Sequence, residues 1–158
     1  MTTRVLKATV SASAAEVIER LADGSAFPSY AEDIVSVAPT ADGDQEWVLA
    51  FRGGVARWVQ RTRPVVRTDE GAPTGEGPYR IEFEQVSGDF QHLEGAWTST
   101  DVPGGSEVVF EVGYSTSVPH LAGAIDSAVG HVLLRSAHQV ISAVAGPARV
   151  TAGGHHLS

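Results

Sequence analysis

The chain of 158 residues contains no cysteine, which excludes disulfides, thiol catalysis and thiolate metal sites. It has one lysine against ten arginines and, with 19 acidic residues, a formal charge of −8. Its arginines are interleaved with acids and form no basic patch or stripe of the kind that binds nucleic acid, so no nucleic-acid partner is expected. No apolar run approaches the ~20 residues of a membrane-spanning helix. The opening MTTRVLKATV holds no apolar stretch of secretory-signal length. A cytoplasmic protein without membrane association is the expectation. No Ser/His/Asp nucleophile pattern and no Gly-rich phosphate loop is found. His131 and His138 stand seven apart with Arg135 between them, whereas a helical metal site uses a pair four apart and a third ligand. No metal is expected.

What is present is 42% hydrophobic residues in a length typical of one domain, enough for a core. RVLKATVSA alternates like a first strand and runs into Ser13 and Glu16, a capping box, so a helix is predicted over 14–22 with Gly24 just past its end. SAFPSYAED reads as a short second helix or turn broken at Pro28. IVSVAPT, EWVLAF, VARWVQRTRP, YRIEFEQV, DFQHLEGAWTST and SEVVFEVGYSTS read as six further strands. Arg52-Gly53-Gly54 marks a tight hairpin between the third and fourth strands. One long helix is predicted over 121–145. The expectation is a single α+β domain over 1–146, with a flexible tail over 147–158.

Alternation assigns the two faces of the sheet. In VARWVQRTRP, Arg57, Arg61 and Arg63 share one face and Trp58, Gln60 and Thr62 the other. The same rule sets Tyr79, Ile81, Phe83 and Gln85 against Arg80, Glu82 and Glu84, and Trp47, Leu49 and Phe51 against Glu46 and Arg52. It also groups Leu93 with Trp97 and Phe110 with Val112 and Tyr114. The charged faces belong to solvent, where opposite charges meet across strands. The aromatic faces turn inward, toward the long helix and its stripe of Ile125, Val129, Val132, Leu133, Val140 and Val144. Buried polar groups need partners. Gln60, Thr62, Gln85 and Tyr114 on the inner surface, with Asp126 near the start of the helix, therefore predict a hollow that holds water or a ligand. The flat guest would stack on Trp58 and Trp97.

Element order, AFPSYAEDIVSV, ARWVQRTRP, the terminal helix and above all SGDFQHLEGAWTSTDVPGGSEVVFEV make the chain resemble the helix-grip superfamily. That superfamily contains START lipid-transfer domains, the birch-pollen-allergen group, coenzyme Q-binding proteins and polyketide aromatase/cyclases. The resemblance covers about residues 4–145 and is nearest to the aromatase/cyclases and cyclase/dehydrases. It implies a curved antiparallel sheet of about seven strands wrapped around the long helix. It also implies an acyl-carrier-bound poly-β-ketone that enters the cavity, closes a ring by aldol addition and loses water, with no cofactor. The family's pocket positions correspond here to Trp58, Gln60, Phe90, Leu93, Trp97, Phe110, Val112 and Tyr114, with Tyr30 near the mouth.

Some aromatase/cyclases carry Trp-x-Ser-x-Arg on this strand; here the pattern is Trp58-x-Gln60-x-Thr62, with the arginines one residue out of phase. A bulge would turn Arg61 or Arg63 inward. Gln60 is the candidate donor to an enolate oxygen and Tyr114 the candidate acid. His120, at the start of the long helix, is a candidate for the cavity rim, and His92, His155 and His156 are bystanders. Two functions stay open: a cyclase, and a non-catalytic carrier of a lipid, quinone or related metabolite. The ligand is small and hydrophobic or aromatic in either case, and the protein a monomer or homodimer.

Overall fold

A computed structural model describes residues 1–51, 54–63, 66–67, 78–116, 122–154 and 157. Arg52, Gly53, His120, His155 and His156 lie outside the described residues, as does the side chain of Ile125. The elements run β1 (Thr2–Val10), α1 (Ala14–Leu21), a 3-10 helix (Gly24–Ser29), β2 (Ile34–Pro39), β3 (Gln45–Phe51), β4 (Gly54–Thr62), β5 (Val66–Arg67), β6 (Tyr79–Gly88), β7 (Phe90–Val102), β8 (Gly105–Thr116), α2 (Ala122–Ala145) and β9 (Arg149–Ala152). All strand pairs are antiparallel. Eight strands form one path in the order β2-β3-β4-β6-β7-β8-β1-β9, and β5 adds to β6. No helix among the described residues is long and apolar enough to cross a membrane.

Two strands exceed the expected seven. β5 is only two residues long, too short for a period to show. β9 arises from the expected tail: Arg149–Ala152 pairs with β1, so that part of 147–158 is sheet. Its four residues alternate exposed and half-buried, a pattern too brief to stand out against the surrounding Gly and Pro.

Helix α1 begins where expected. Ser13, in extended backbone, accepts a hydrogen bond from the Glu16 amide at 3.3 Å. Val17, Ile18 and Leu21 then fall on one buried face. The sheet holds the start of this helix: Asp101 accepts from the Ala14 amide at 2.9 Å, and Ser99 and Ser106, both fully buried, donate to the Ala14 and Ala12 carbonyls. Gly24 does not cap α1, which closes at Ala22. It opens the 3-10 helix, whose first amide donor Ser25 is received by Asp23, and that hydrogen bond holds the Asp23 carboxyl below its usual range. Pro28 sits within this 3-10 helix rather than breaking it.

The long helix covers the concave face, and its buried arc is wider than the predicted stripe. Leu134, Ala137 and Ile141 are buried beside Val129, Val132, Leu133, Val140 and Val144. The start of α2 comes very close to the sheet at Gly130. A Cβ there would lie 2.7 Å from the Tyr114 hydroxyl and 3.1 Å from Arg4 Nε, so any larger residue would have to push those side chains aside. Arg135 reaches the loop before β2: its Nε donates to Asp33 at 3.1 Å and its Nη2 also meets Asp33.

Candidate functional site

The face assignment holds along β4. Ala56, Trp58 and Gln60 are buried while Arg57, Arg61 and Arg63 are exposed. A bulge does occur here, but on the neighbouring strand. Trp58, Val59 and Gln60 pair with Gly88, Ser87 and Gln85, leaving Val86 of β6 as the extra residue, 48% exposed. The pairing of β3 with β4 is regular throughout, so β4 keeps its phase and no arginine turns in. Arg61 instead lies across the buried Asp44, with Nε and Nη2 each 3.2 Å from a carboxylate oxygen. Arg63 faces Glu82 at 3.3 Å and Glu84 at 3.7 Å.

Inside the sheet the aromatic rings form a connected series. Trp47 stacks on Trp58 with centroids 5.8 Å apart and planes 16° from parallel. Phe27 meets Trp47 and Trp97 edge-on, at 5.9 and 6.2 Å. Trp97 then contacts Phe110 at 4.6 Å, and Phe110 stacks on Phe83 at 6.0 Å. These rings border a cavity between the sheet and α2 with a volume of about 60 Å³. The expected hollow is there, but it is narrow because the rings lean into one another. It is well below the ~300–1,000 Å³ of an open small-molecule pocket. A guest of more than one ring requires side chains to part. A recess of about 330 Å³ on the surface shares Ala22, Gln45, Gln60 and Thr62 with the cavity, and those four residues make its mouth.

Polar groups reach the mouth as a row. The Trp58 indole N–H donates to Gln60 Oε1 at 3.1 Å, and Gln60 Nε2 donates to Thr62 Oγ1 at 3.3 Å. Residues two apart in a strand share a face, so this row follows from the sequence spacing. Among the described residues, the second amide N–H of Gln60 and the hydroxyl proton of Thr62 have no acceptor, which leaves them for a guest.

The candidate residues divide into two groups. Trp47, Trp58, Gln60, Thr62, Phe83, Leu93, Trp97 and Phe110 line the cavity. Tyr30, Phe51, Gln85, Phe90, Val112 and Tyr114 do not. The amide of Gln85 is occupied at the β6–β7 turn, giving a hydrogen bond to the Phe90 carbonyl at 2.9 Å and accepting one from the Phe90 amide at 3.2 Å. Phe90 backs Trp58 edge-on at 5.5 Å from outside the cavity. Tyr30 is 38% exposed beside Phe27, Phe51 is half-buried at the end of β3, and Val112 is buried along β8.

Tyr114 has no reach toward the cavity. It is fully buried, and its hydroxyl donates to the Asp126 carbonyl at 2.5 Å, joining β8 to the start of α2. Burial pushes its phenol up to about 12, against the pull of nearby Arg4. The Asp126 carboxylate accepts from Thr2 at 2.7 Å and Thr116 at 3.4 Å. These groups hold the helix on the sheet.

Sequence reasoning missed Phe27, Gln45 and Ser136. Gln45 faces the cavity because the β3–β4 register sets it opposite Gln60. Ser136 lines the cavity with Leu133, Ala137 and Val140, spacings of three, four and seven that mark one face of a helix. That spacing was the available signal, hidden because the small polar residue interrupts an apolar stripe.

Among solved structures the fold is similar to a Thermus thermophilus protein at 19% identity, covering 90% of this chain and 94% of that one, with a TM-score of 0.71. It is similar to the Zhui aromatase/cyclase of a Streptomyces species at 19% identity, covering 92% of both chains, with a TM-score of 0.68. A START superfamily protein of Mycobacterium smegmatis matches at 16% identity over 90% of this chain and 95% of that one, with a TM-score of 0.64. No curated protein matches the sequence. Residues 10–140 match the family described as polyketide cyclase / dehydrase and lipid transport. With its helix-grip fold and its aromatic cavity under the long helix, the chain belongs to that polyketide cyclase / dehydrase and lipid transport family.

Proposed function

We propose that the protein is an aromatase/cyclase that takes an oxygen-rich poly-β-ketone, delivered on an acyl-carrier protein, into the cavity and promotes aldol closure and dehydration there. The observation that carries this reading is the row Trp58–Gln60–Thr62, which brings unspent donors to the mouth of an aromatic cavity. Protons between two ketones are acidic, so water at the mouth suffices to remove one. What remains is to stabilise the enolate and to confine the chain so that its ends meet. The free N–H of Gln60 donates to that enolate oxygen, and the Thr62 hydroxyl hydrogen-bonds to the departing hydroxyl group, which leaves as water with a proton returned from solvent. Trp58 and Trp97 stack on the ring as it flattens. Tyr114 takes no part.

A second reading is a carrier of a hydrophobic metabolite. It is favoured by one observation: among the described residues lining the cavity, none has a side chain that titrates near neutral pH. A carrier needs only shape and a few polar contacts. The two readings separate when a carrier-protein-bound poly-β-ketone is incubated with and without the protein and the products are profiled. The cyclase reading expects the profile to shift toward one cyclised, dehydrated product, and the shift to vanish in Gln60→Leu. An unchanged profile with retained binding of an aromatic product identifies a carrier.

A further inference from the structure

Two polar atoms on the cavity wall have no partner among the described residues. One is the indole Nε1 of Trp47, on β3; the other is the hydroxyl oxygen of Ser136, on α2. Both side chains are nine-tenths buried or more, at 9% and 4% exposure. An unmade hydrogen bond in such a place costs ~1–3 kcal/mol, and native interiors hold few of them. The other cavity groups on β4 satisfy one another, so the two orphans are not a general property of the lining. They stand on the two layers that enclose the cavity. One is a donor only; the other both donates and accepts.

Both groups are neutral, and no charged side chain is found among the described residues that line the cavity. A carboxylate taken to this depth would lose its hydration without gaining a counter-ion. A ketone or phenol oxygen would meet the Trp47 N–H and the Ser136 hydroxyl at no such cost. Both atoms are closed off from the free space in this structure, so a guest meets them as the side chains part. A hydrocarbon then leaves both unpaired, whereas an oxygenated ring gives them a partner.

We infer that Trp47 and Ser136 form an anchor for uncharged oxygen, selecting hydroxylated or ketonic rings over bare hydrocarbons and over carboxylates. This rests on the cavity being the ligand site. In the proposed cyclisation the two are positioning residues: they fix the register of the chain by one of its own oxygens.

Equilibrium dialysis with naphthalene, 2-naphthol and 2-naphthoate at pH 7 tests the anchor. Wild-type protein is expected to bind 2-naphthol about tenfold more tightly than naphthalene, as one or two restored hydrogen bonds imply, and at least tenfold more tightly than 2-naphthoate. Ser136→Ala and Trp47→Phe are each expected to bring the naphthol-to-naphthalene ratio down toward one. Naphthalene binding itself is the control that the variants are folded. Equal affinity for naphthol and naphthalene in the wild type, a ratio unmoved by both variants, or naphthoate binding as tightly as naphthol overturns the anchor and leaves the cavity reading intact. Failure of all three probes to bind overturns both.

Discussion

Trp58 and Gln60 stand two apart on β4, and the indole N–H of the first donates to the amide oxygen of the second at 3.1 Å. The amide therefore has two duties. It satisfies a buried indole, and it carries its own free N–H to the mouth.

Replacing Gln60 tests both duties. Gln60→Leu leaves the Trp58 N–H unpaired, and the protein is expected to lose ~1–3 kcal/mol in urea unfolding. Gln60→Glu keeps an acceptor for the Trp58 N–H but, ionised, sets an unpaired carboxylate in a buried position. It is expected to lose at least as much stability as the leucine variant and to lose catalysis as fully, measured by unfolding and by product profile.

Trp58 itself is held between Trp47 and Phe90. Truncating it to alanine opens space in the core and is expected to cost ~3–5 kcal/mol. Trp58→Phe keeps the stacking surface and removes the indole donor. Its expected loss is below half that of the alanine variant, with an aromatic ligand still bound, as denaturation and dialysis together check.

The Asp33–Arg135 pair ties the chain between the 3-10 helix and β2 to α2. Phe27, on that 3-10 helix, lines the cavity. Arg135→Ala is expected to speed both binding and release of an aromatic ligand by several-fold, with little change in affinity, in stopped-flow fluorescence. Amide exchange over residues 24–33 is expected to rise in parallel. Unchanged rates would show that the pair does not restrain this wall.

Tyr114 gives a pH signature. Its folded phenol titrates at about 12, above the ordinary value of 10, so the folded state holds the proton more tightly than the unfolded one. Stability from this source is complete below pH 10 and is lost as pH rises through the interval to 12. The slope approaches ~1.4 kcal/mol per pH unit. Tyr114→Phe is expected to flatten that alkaline decline while lowering stability at pH 7 through loss of the bond to the Asp126 carbonyl. Ligand binding at pH 7 is expected to persist, since Tyr114 does not line the cavity.

The faces of the sheet were legible because period-two alternation is a local property: Trp58 and Gln60 in, Arg57 and Arg61 out, follows from adjacent residues alone. Position along the groove was not. Gln85 and Tyr114 lie on the inner surface as read, yet one serves the β6–β7 turn and the other the start of α2. Alternation says nothing about which end of a strand meets which end of a helix. Strand register, unseen in a single sequence, is what brings Gln45 to Gln60. Ser136 and Phe27 escaped for a different reason. A serine within an apolar stripe and a phenylalanine beside a proline have ordinary packing roles, and only the enclosed space between them reveals that they face a hollow. The size of that hollow also depends on how the rings tilt, which composition does not encode.

All three tryptophans of the chain, Trp47, Trp58 and Trp97, line the cavity. An ¹⁵N spectrum of the indole N–H groups therefore reads the site with three signals, and titration with a flat oxygenated aromatic such as 2-naphthol tests whether a guest sits among them. The expected result is that all three signals move together and saturate at one ligand per chain, with the Trp47 signal shifted toward a hydrogen-bonded position. Indole signals that stay fixed while backbone amides on the outer face of the sheet move would contradict a binding site beneath the long helix.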